Sequence, residues 1–387
     1  MTIDLARVRA DTPGCREVVH LNNAGAALPP APVVEAVVRH LRLEAANGGY
    51  EAAEREAERI GRVYAAAAEL LGAAPDEIAF VENATRAWDM AFYSLPLQAG
   101  DRILTSVAEY ASNYVAFLQV AERTGAVVDV VPNDESGALS VAALAERLDA
   151  RVKLVAVTHV PTNGGLINPA AEIGRLTRAA GVPYLLDACQ SAGQMPLDVE
   201  AIGCDMLSLT GRKYVRGPRG TGLLYCRREM LERLEPPFVD LHAAPWTARD
   251  RYELRPDARR FENWEANIAG KVGLGVAIDY ALELGLDAIW ERVRTLGDGL
   301  RERLAAVPGV ECRDRGRERC GIVSFTVAGE PPRDVRRRLV ERGIQVWFSD
   351  AAATRLDMEE RGLPAVVRAS VHYYNDHDDL DRLCEAL

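Results

Sequence analysis

Residues 182–225 read VPYLLDACQSAGQMPLDVEAIGCDMLSLTGRKYVRGPRGTGLLY. Three short apolar runs punctuate this stretch: Tyr184–Asp187, Met206–Leu209 and Gly222–Tyr225. Each has the length and continuity of a strand buried on both faces. The first run ends in Asp187, and the second runs into Thr210-Gly211-Arg212-Lys213. Asp187 and Lys213 stand 26 residues apart, about one strand–connection–strand unit. Both therefore fall at the same edge of a sheet, where open α/β sheets bind ligands.

Working outward, further strand candidates are Ile78–Val81, Arg102–Ser106, Val127–Val131 and Leu154–Thr158. Helical patterns such as Ala111–Arg123 and Pro169–Ala180 lie between most of them. This alternation predicts an α/β fold with a mainly parallel sheet covered on both faces. Upstream, Pro29-Pro30 opens a helix from about Ala31 to Ala46, and Asn47-Gly48-Gly49 breaks it before a second helix from Glu51 to Leu71. Downstream, two long helices, Asn267–Leu284 and Leu286–Ala306, part at Gly285, and a smaller β/α mixture follows. The domain reading is an N-terminal arm over 1–18, a large domain over 19–280 and a small domain over 281–387.

The bulk numbers exclude several functions. The 387 residues carry a formal net charge of −11, whereas a nucleic-acid binder needs a basic excess. No apolar run approaches the roughly 18 residues of a membrane-spanning helix. The opening MTIDLARVRADTPG is charged where a signal peptide needs an apolar stretch, so a cytoplasmic location is expected. The seven cysteines are widely spaced and form no CxxC, which argues against a disulfide framework or a structural metal site.

What remains is the chemistry of Asp187 and Lys213. Pyridoxal phosphate asks three things of a protein. It needs an amine to hold its aldehyde as a Schiff base, and a lysine of lowered pKa serves. It needs a carboxylate to keep the pyridine nitrogen protonated, so that the ring absorbs electrons from a substrate carbanion. It also needs donors for its phosphate, usually at a helix N-terminus. Lys213 meets the first need and Asp187 the second. Thr85, in FVENATRAW, follows a strand and opens a helix, and Thr210 adds a second hydroxyl.

The same residues, with HLNNAGAALPP (20–30), VTHVPTNGGLINP (157–169) and RASVHYYNDHDDLDRL (368–383), resemble the aminotransferase class V superfamily. That superfamily includes cysteine desulfurases, isopenicillin N epimerases and related C–S lyases. The resemblance spans nearly the whole chain. It implies the pyridoxal-phosphate transferase fold of type I and a homodimer with active sites at the interface. It also implies that Lys213 is the Schiff-base lysine, Asp187 the ring-nitrogen partner and Gln190 the partner of the ring hydroxyl. Thr85, Thr210 and the backbone at Ala84 would bind phosphate, with Arg212 beside the cofactor. Arg368 would clamp the substrate carboxylate, a role suited to the guanidinium fork.

Departures from the desulfurase pattern steer the expected activity. The segment Val346–Pro364, where desulfurases carry a nucleophilic cysteine, contains none, and Ala352 stands near the matching position. Tyr110, or strictly Ala111, replaces the ring-stacking histidine. Tyr110 is a candidate acid/base, and Asn23, Thr162 and Asn163 are candidate substrate contacts. Tyr50 and Trp264, in the GGY and FENWE segments, resemble an aromatic wall for a bulky substrate. On this reading the expected reaction is β-elimination on an S-substituted cysteine or its sulfoxide. The products are a thiol or sulfenate, pyruvate and ammonia. Transamination, epimerisation or oxidative or decarboxylating deamination stands as the alternative, cysteine desulfuration as the disfavoured one, and a catalytically silent binding module as the non-enzymatic one.

Overall fold

The computed structural model describes residues 3–387. The large sheet has seven strands: β1 (Ile78–Val81), β2 (Arg102–Ser106), β3 (Val127–Val131), β4 (Val152–Thr158), β5 (Tyr184–Asp187), β6 (Met206–Thr210) and β7 (Gly222–Cys226). Their order across the sheet is β1-β7-β6-β5-β4-β2-β3. Only β7 runs against its neighbours; the other pairs are parallel. This mostly parallel α/β sheet confirms the expected fold class. Its central strands are buried on both faces, which is why they read as unbroken apolar runs.

Helices cover the two faces. Those that bear on the site are α1 (Ala31–Asn47), α2 (Gly49–Arg55), α3 (Ala57–Leu71), α4 (Ala84–Phe92) and α5 (Ala111–Thr124). The stretch expected as one helix from Glu51 to Leu71 is two, parted at Glu56. Two arginines, Arg39 and Arg59, converge on the Glu56 carboxylate at the break. Two long helices follow, α6 (Ile268–Leu284) and α7 (Leu286–Ala306), and α6 packs against α1 and α3.

The C-terminal part forms a four-stranded antiparallel sheet, β8 (Val310–Cys312), β9 (Ile322–Val327), β10 (Trp347–Asp350) and β11 (Ala365–Ser370), in the order β8-β9-β11-β10. Helix α8 (Arg355–Glu360) stands between β10 and β11, and α9 (His377–Glu385) ends the chain. Near the N-terminus, Val19–His20 pairs in parallel with Ile344–Gln345, and Val8, Val19 and Leu21 share an apolar cluster with Val323, Val367 and Leu380. No helix among the described residues is long and apolar enough to cross a membrane.

Two backbone features set the site. Gly193 has φ near 80°, and a Cβ there would come within 2.6 Å of the Tyr214 backbone. Its lack of a side chain lets the turn after Asp187 lie against the turn that carries Lys213. Three residues past Lys213, Arg216 holds a φ of 62°, rare for a residue with a side chain. Its guanidinium donates to Leu28 O at 2.8 Å, Tyr373 Oη at 2.8 Å and Thr12 Oγ1 at 2.6 Å. Those bonds hold the strained turn against the N-terminal arm and the C-terminal run.

Candidate active site

Lys213 and Asp187 emerge from the C-terminal ends of neighbouring strands, β6 and β5. Burial lowers the Lys213 amine from its ordinary value. Arg212 and Arg368 push in the same direction, and Asp187 opposes them. Asp187 is buried, and both its oxygens are held. Oδ1 accepts from the Cys189 backbone N–H at 2.9 Å and Oδ2 from Asn113 Nδ2 at 2.9 Å. The carboxylate is thus oriented at the strand edge.

Gln190, at the turn beyond Asp187, donates Nε2 to Ala24 O at 3.1 Å, while its Oε1 is buried without a partner. A buried orphan acceptor is costly unless a bound group supplies a donor. Arg368, on β11, is only 5% exposed. One terminal nitrogen donates to Thr162 O at 3.2 Å and to Thr162 Oγ1. The other reaches Asn22 Oδ1 at 3.4 Å, and Nε has no partner. No salt bridge joins Arg368 to a carboxylate among the described residues. Burial lowers this guanidinium to about 10. A buried cation without an anion is destabilising, so the site is built to receive one.

The side expected to meet the phosphate is set by Gly222. A Cβ on Gly222 would lie 2.5 Å from the Asn83 carbonyl carbon and 2.9 Å from the Ala84 nitrogen. The glycine therefore allows the N-terminus of α4 to sit against β7, opposite Thr210 in the register. Asn83 Oδ1 caps the helix by accepting from Arg86 N at 2.9 Å. Thr85, in the first turn of α4, is exposed, and Thr210, at the end of β6, is buried. Arg212 donates to Gly25 O at 2.6 Å.

The remaining candidates divide. Tyr110 caps α5 and lies close enough to Arg368 to act on its charge. Thr162 holds Arg368, whereas Asn163 donates to Thr354 Oγ1 at 3.1 Å and keeps a buried, unpartnered Oδ1. Asn23 is spent inside the fold: its Nδ2 donates to Ser370 O at 2.7 Å and its Oδ1 accepts from Tyr374 Oη. Its neighbour Asn22 meets Arg368 instead. Tyr50 and Trp264 line a separate hollow with Leu41, His242 and Glu265. Lys213, Asp187, Gln190 and Arg368 do not border that hollow.

Sequence reasoning passed over Glu109, Asn113 and His159. Glu109 is buried and accepts from Thr105 Oγ1 at 3.1 Å, Tyr110 N at 3.0 Å, Asn113 Nδ2 at 2.8 Å, Thr158 N at 3.0 Å and Thr158 Oγ1. His159 is buried, with Nδ1 unpartnered, and burial lowers its imidazole to about 4. Buried polar groups clustered at a strand edge were the available signal; EYASN alone does not show it.

Fold and site together define an enzyme of the pyridoxal-phosphate class. The chain belongs to the aminotransferase class-V family, whose match covers residues 19–383. It is 33% identical over 98% of its length to a probable cysteine desulfurase of Methanothermobacter thermautotrophicus, of which 96% is covered. A cysteine desulfurase of Cronobacter sakazakii is also 33% identical, over 100% of this chain and 98% of its own. The apo structure of the cysteine desulfurase from Thermococcus onnurineus NA1 superposes with a TM-score of 0.92 at 29% identity, covering 100% of this chain and 97% of that one. The cofactor is pyridoxal 5′-phosphate, and the orphaned Gln190 Oε1 and unpaired Arg368 fit a site that holds it with an amino acid.

These relatives overturn the expected elimination on an S-substituted cysteine or sulfoxide. Full-length relatives at one-third identity are named for desulfuration, the reading disfavoured on sequence. The bulky-substrate argument leaned on Tyr50 and Trp264, which are 73% and 53% exposed in a hollow apart from Lys213.

Proposed function

We propose that this enzyme cleaves the Cβ–S bond of free L-cysteine, releasing alanine and passing sulfur to a thiol. The observation that carries the reading is Arg368, a buried guanidinium with no carboxylate partner, close enough to Lys213 for the two charges to interact. A free α-amino acid supplies the missing anion. The names of the relatives support cysteine among such acids.

When bound, pyridoxal phosphate supplies an aldehyde that captures an amine and a ring that accepts electrons from Cα. Lys213, with its proton affinity lowered by burial, anchors that aldehyde and, once displaced, moves a proton to and from Cα. Asp187 holds the ring nitrogen protonated. Gln190 meets the ring hydroxyl, and Thr85, Thr210 and the Ala84 backbone, with Arg212 nearby, hold the phosphate at the α4 N-terminus. Arg368, steadied by Thr162 and Asn22, fixes the substrate carboxylate. Tyr110, beside Arg368, faces the substrate as an acid/base, and Asn163 borders it from the Thr354 side.

The sulfur acceptor comes from outside the 346–364 segment, which has no cysteine. An external thiol RSH takes the sulfur atom as RSSH while cysteine becomes alanine, so atoms and electrons balance. Incubation with L-cysteine and an added small thiol should yield alanine and persulfide sulfur in equal amounts. Pyruvate and ammonia in place of alanine would reject the proposal. The family expectation of a homodimer is part of the same reading. The exposed hairpin of Trp246–Ala248 and Arg251–Tyr252 and the hollow at Trp264 support it as surfaces a second copy would cover.

A further inference from the structure

Asn113 bonds Asp187 through its side-chain amide, which has two ends. One end donates and the other accepts. The Nδ2 group spends one hydrogen on Asp187 Oδ2 at 2.9 Å and the other on Glu109 Oε1 at 2.8 Å. A single amide therefore bridges two buried carboxylates. Were it turned over, its oxygen would face both, and Asp187 would need a proton to bond it. That form cannot hold a pyridinium.

Glu109 decides which way the amide points. Its carboxylate receives five hydrogen bonds, two of them from the backbone N–H groups of Tyr110 and Thr158. Backbone donors cannot rotate away, so they require an acceptor at both carboxyl oxygens. With both carboxyl oxygens already held as acceptors by backbone donors, only the Nδ2 end of Asn113 fits against Oε1. We propose that Glu109, acting through Asn113, is a positioning residue that keeps the amide's donor aimed at Asp187 and so keeps Asp187 ionised for the ring nitrogen. The inference rests on the proposed role of Asp187.

The substitution Glu109→Gln keeps the shape and removes one acceptor. Whichever way Gln turns, an NH2 confronts a backbone N–H. With its NH2 toward Asn113, the amide of Asn113 is free to turn over. The test loads wild type and variant with pyridoxal phosphate carrying 15N in its ring and records the ring-nitrogen resonance and the cofactor's dissociation constant. In wild type the nitrogen is protonated. In the variant the resonance moves toward neutral pyridine and cofactor binding weakens about tenfold, the scale of one lost bond to a charged group. Should the Gln variant fail to fold, Asn113→Ala gives the answer, because it cuts the bridge and leaves the other four bonds to Glu109. The same resonance shift is expected there.

An unshifted resonance in a folded Glu109→Gln protein overturns the proposal, even with lower thermal stability, because stability alone reports only packing. A wild-type protein whose ring nitrogen is neutral overturns the role of Asp187 itself, a different failure recognisable without any variant.

Discussion

At the scale of single residues, the unpaired Arg368 makes the sharpest demand. A lysine keeps the charge and loses the fork that spans a carboxylate. Arg368→Lys should raise KM for cysteine more than it lowers kcat, with kcat/KM down by about tenfold to a hundredfold. Steady-state kinetics on alanine release checks this. Lys213→Ala should cost about 10²–10⁴-fold in kcat, the usual share of a positioned acid/base, and should abolish the visible band of the lysine-bound cofactor. Retention of that band in the alanine variant would move the anchor elsewhere. His159 sets an acid limit. Its folded-state value of about 4 lies below the ordinary 6.5, so between those values the unfolded chain binds a proton that the folded chain refuses. Stability is therefore lost as pH falls through this window, by about 2 kcal/mol between pH 7 and pH 5 from this group. Glu109, pushed by burial up to about 7, acts with the opposite sign. The clean readout is the difference in denaturant midpoints between wild type and His159→Asn, which should narrow on acidification.

At the scale of elements, the close approach of β7 to the α4 N-terminus admits a direct test. Gly222→Ala forces a methyl into the Asn83–Ala84 backbone, 2.5 Å away. The overpacking should cost about 1–3 kcal/mol, and the displaced helix end should also weaken cofactor binding. Calorimetry and cofactor titration measure the two effects separately, and an unchanged affinity would detach α4 from the phosphate. This scale also shows what a sequence discloses. Strands β1, β2, β3 and β5 coincide with their expected bounds, and for β1 and β5 the reason is that strands buried on both faces read as short apolar runs. Asp187 and Lys213 were legible for the same reason, since each follows such a run. The break at Glu56 was not, because no glycine or proline marks it and arginines from two helices meet there. The bridge from Glu109 to Asp187 was equally hidden. Asn113 meets Asp187 across 74 residues, and in sequence it is one more polar residue in a helix.

At the scale of the whole molecule, Val19–His20 lies beside Ile344–Gln345, and Asn22 reaches Arg368. These contacts join parts of the chain more than 300 residues apart, so they close late, after loop-closure entropy has been paid over nearly the full length. On the ribosome, the central sheet through β7 has all its strands in hand while β10 and β11 are still being made. A nascent chain can thus own Lys213 and Asp187 and still lack the strand that carries Arg368. On the proposed reading of Arg368, synthesis order itself leaves the half-made protein unable to grip an amino acid until β11 has emerged.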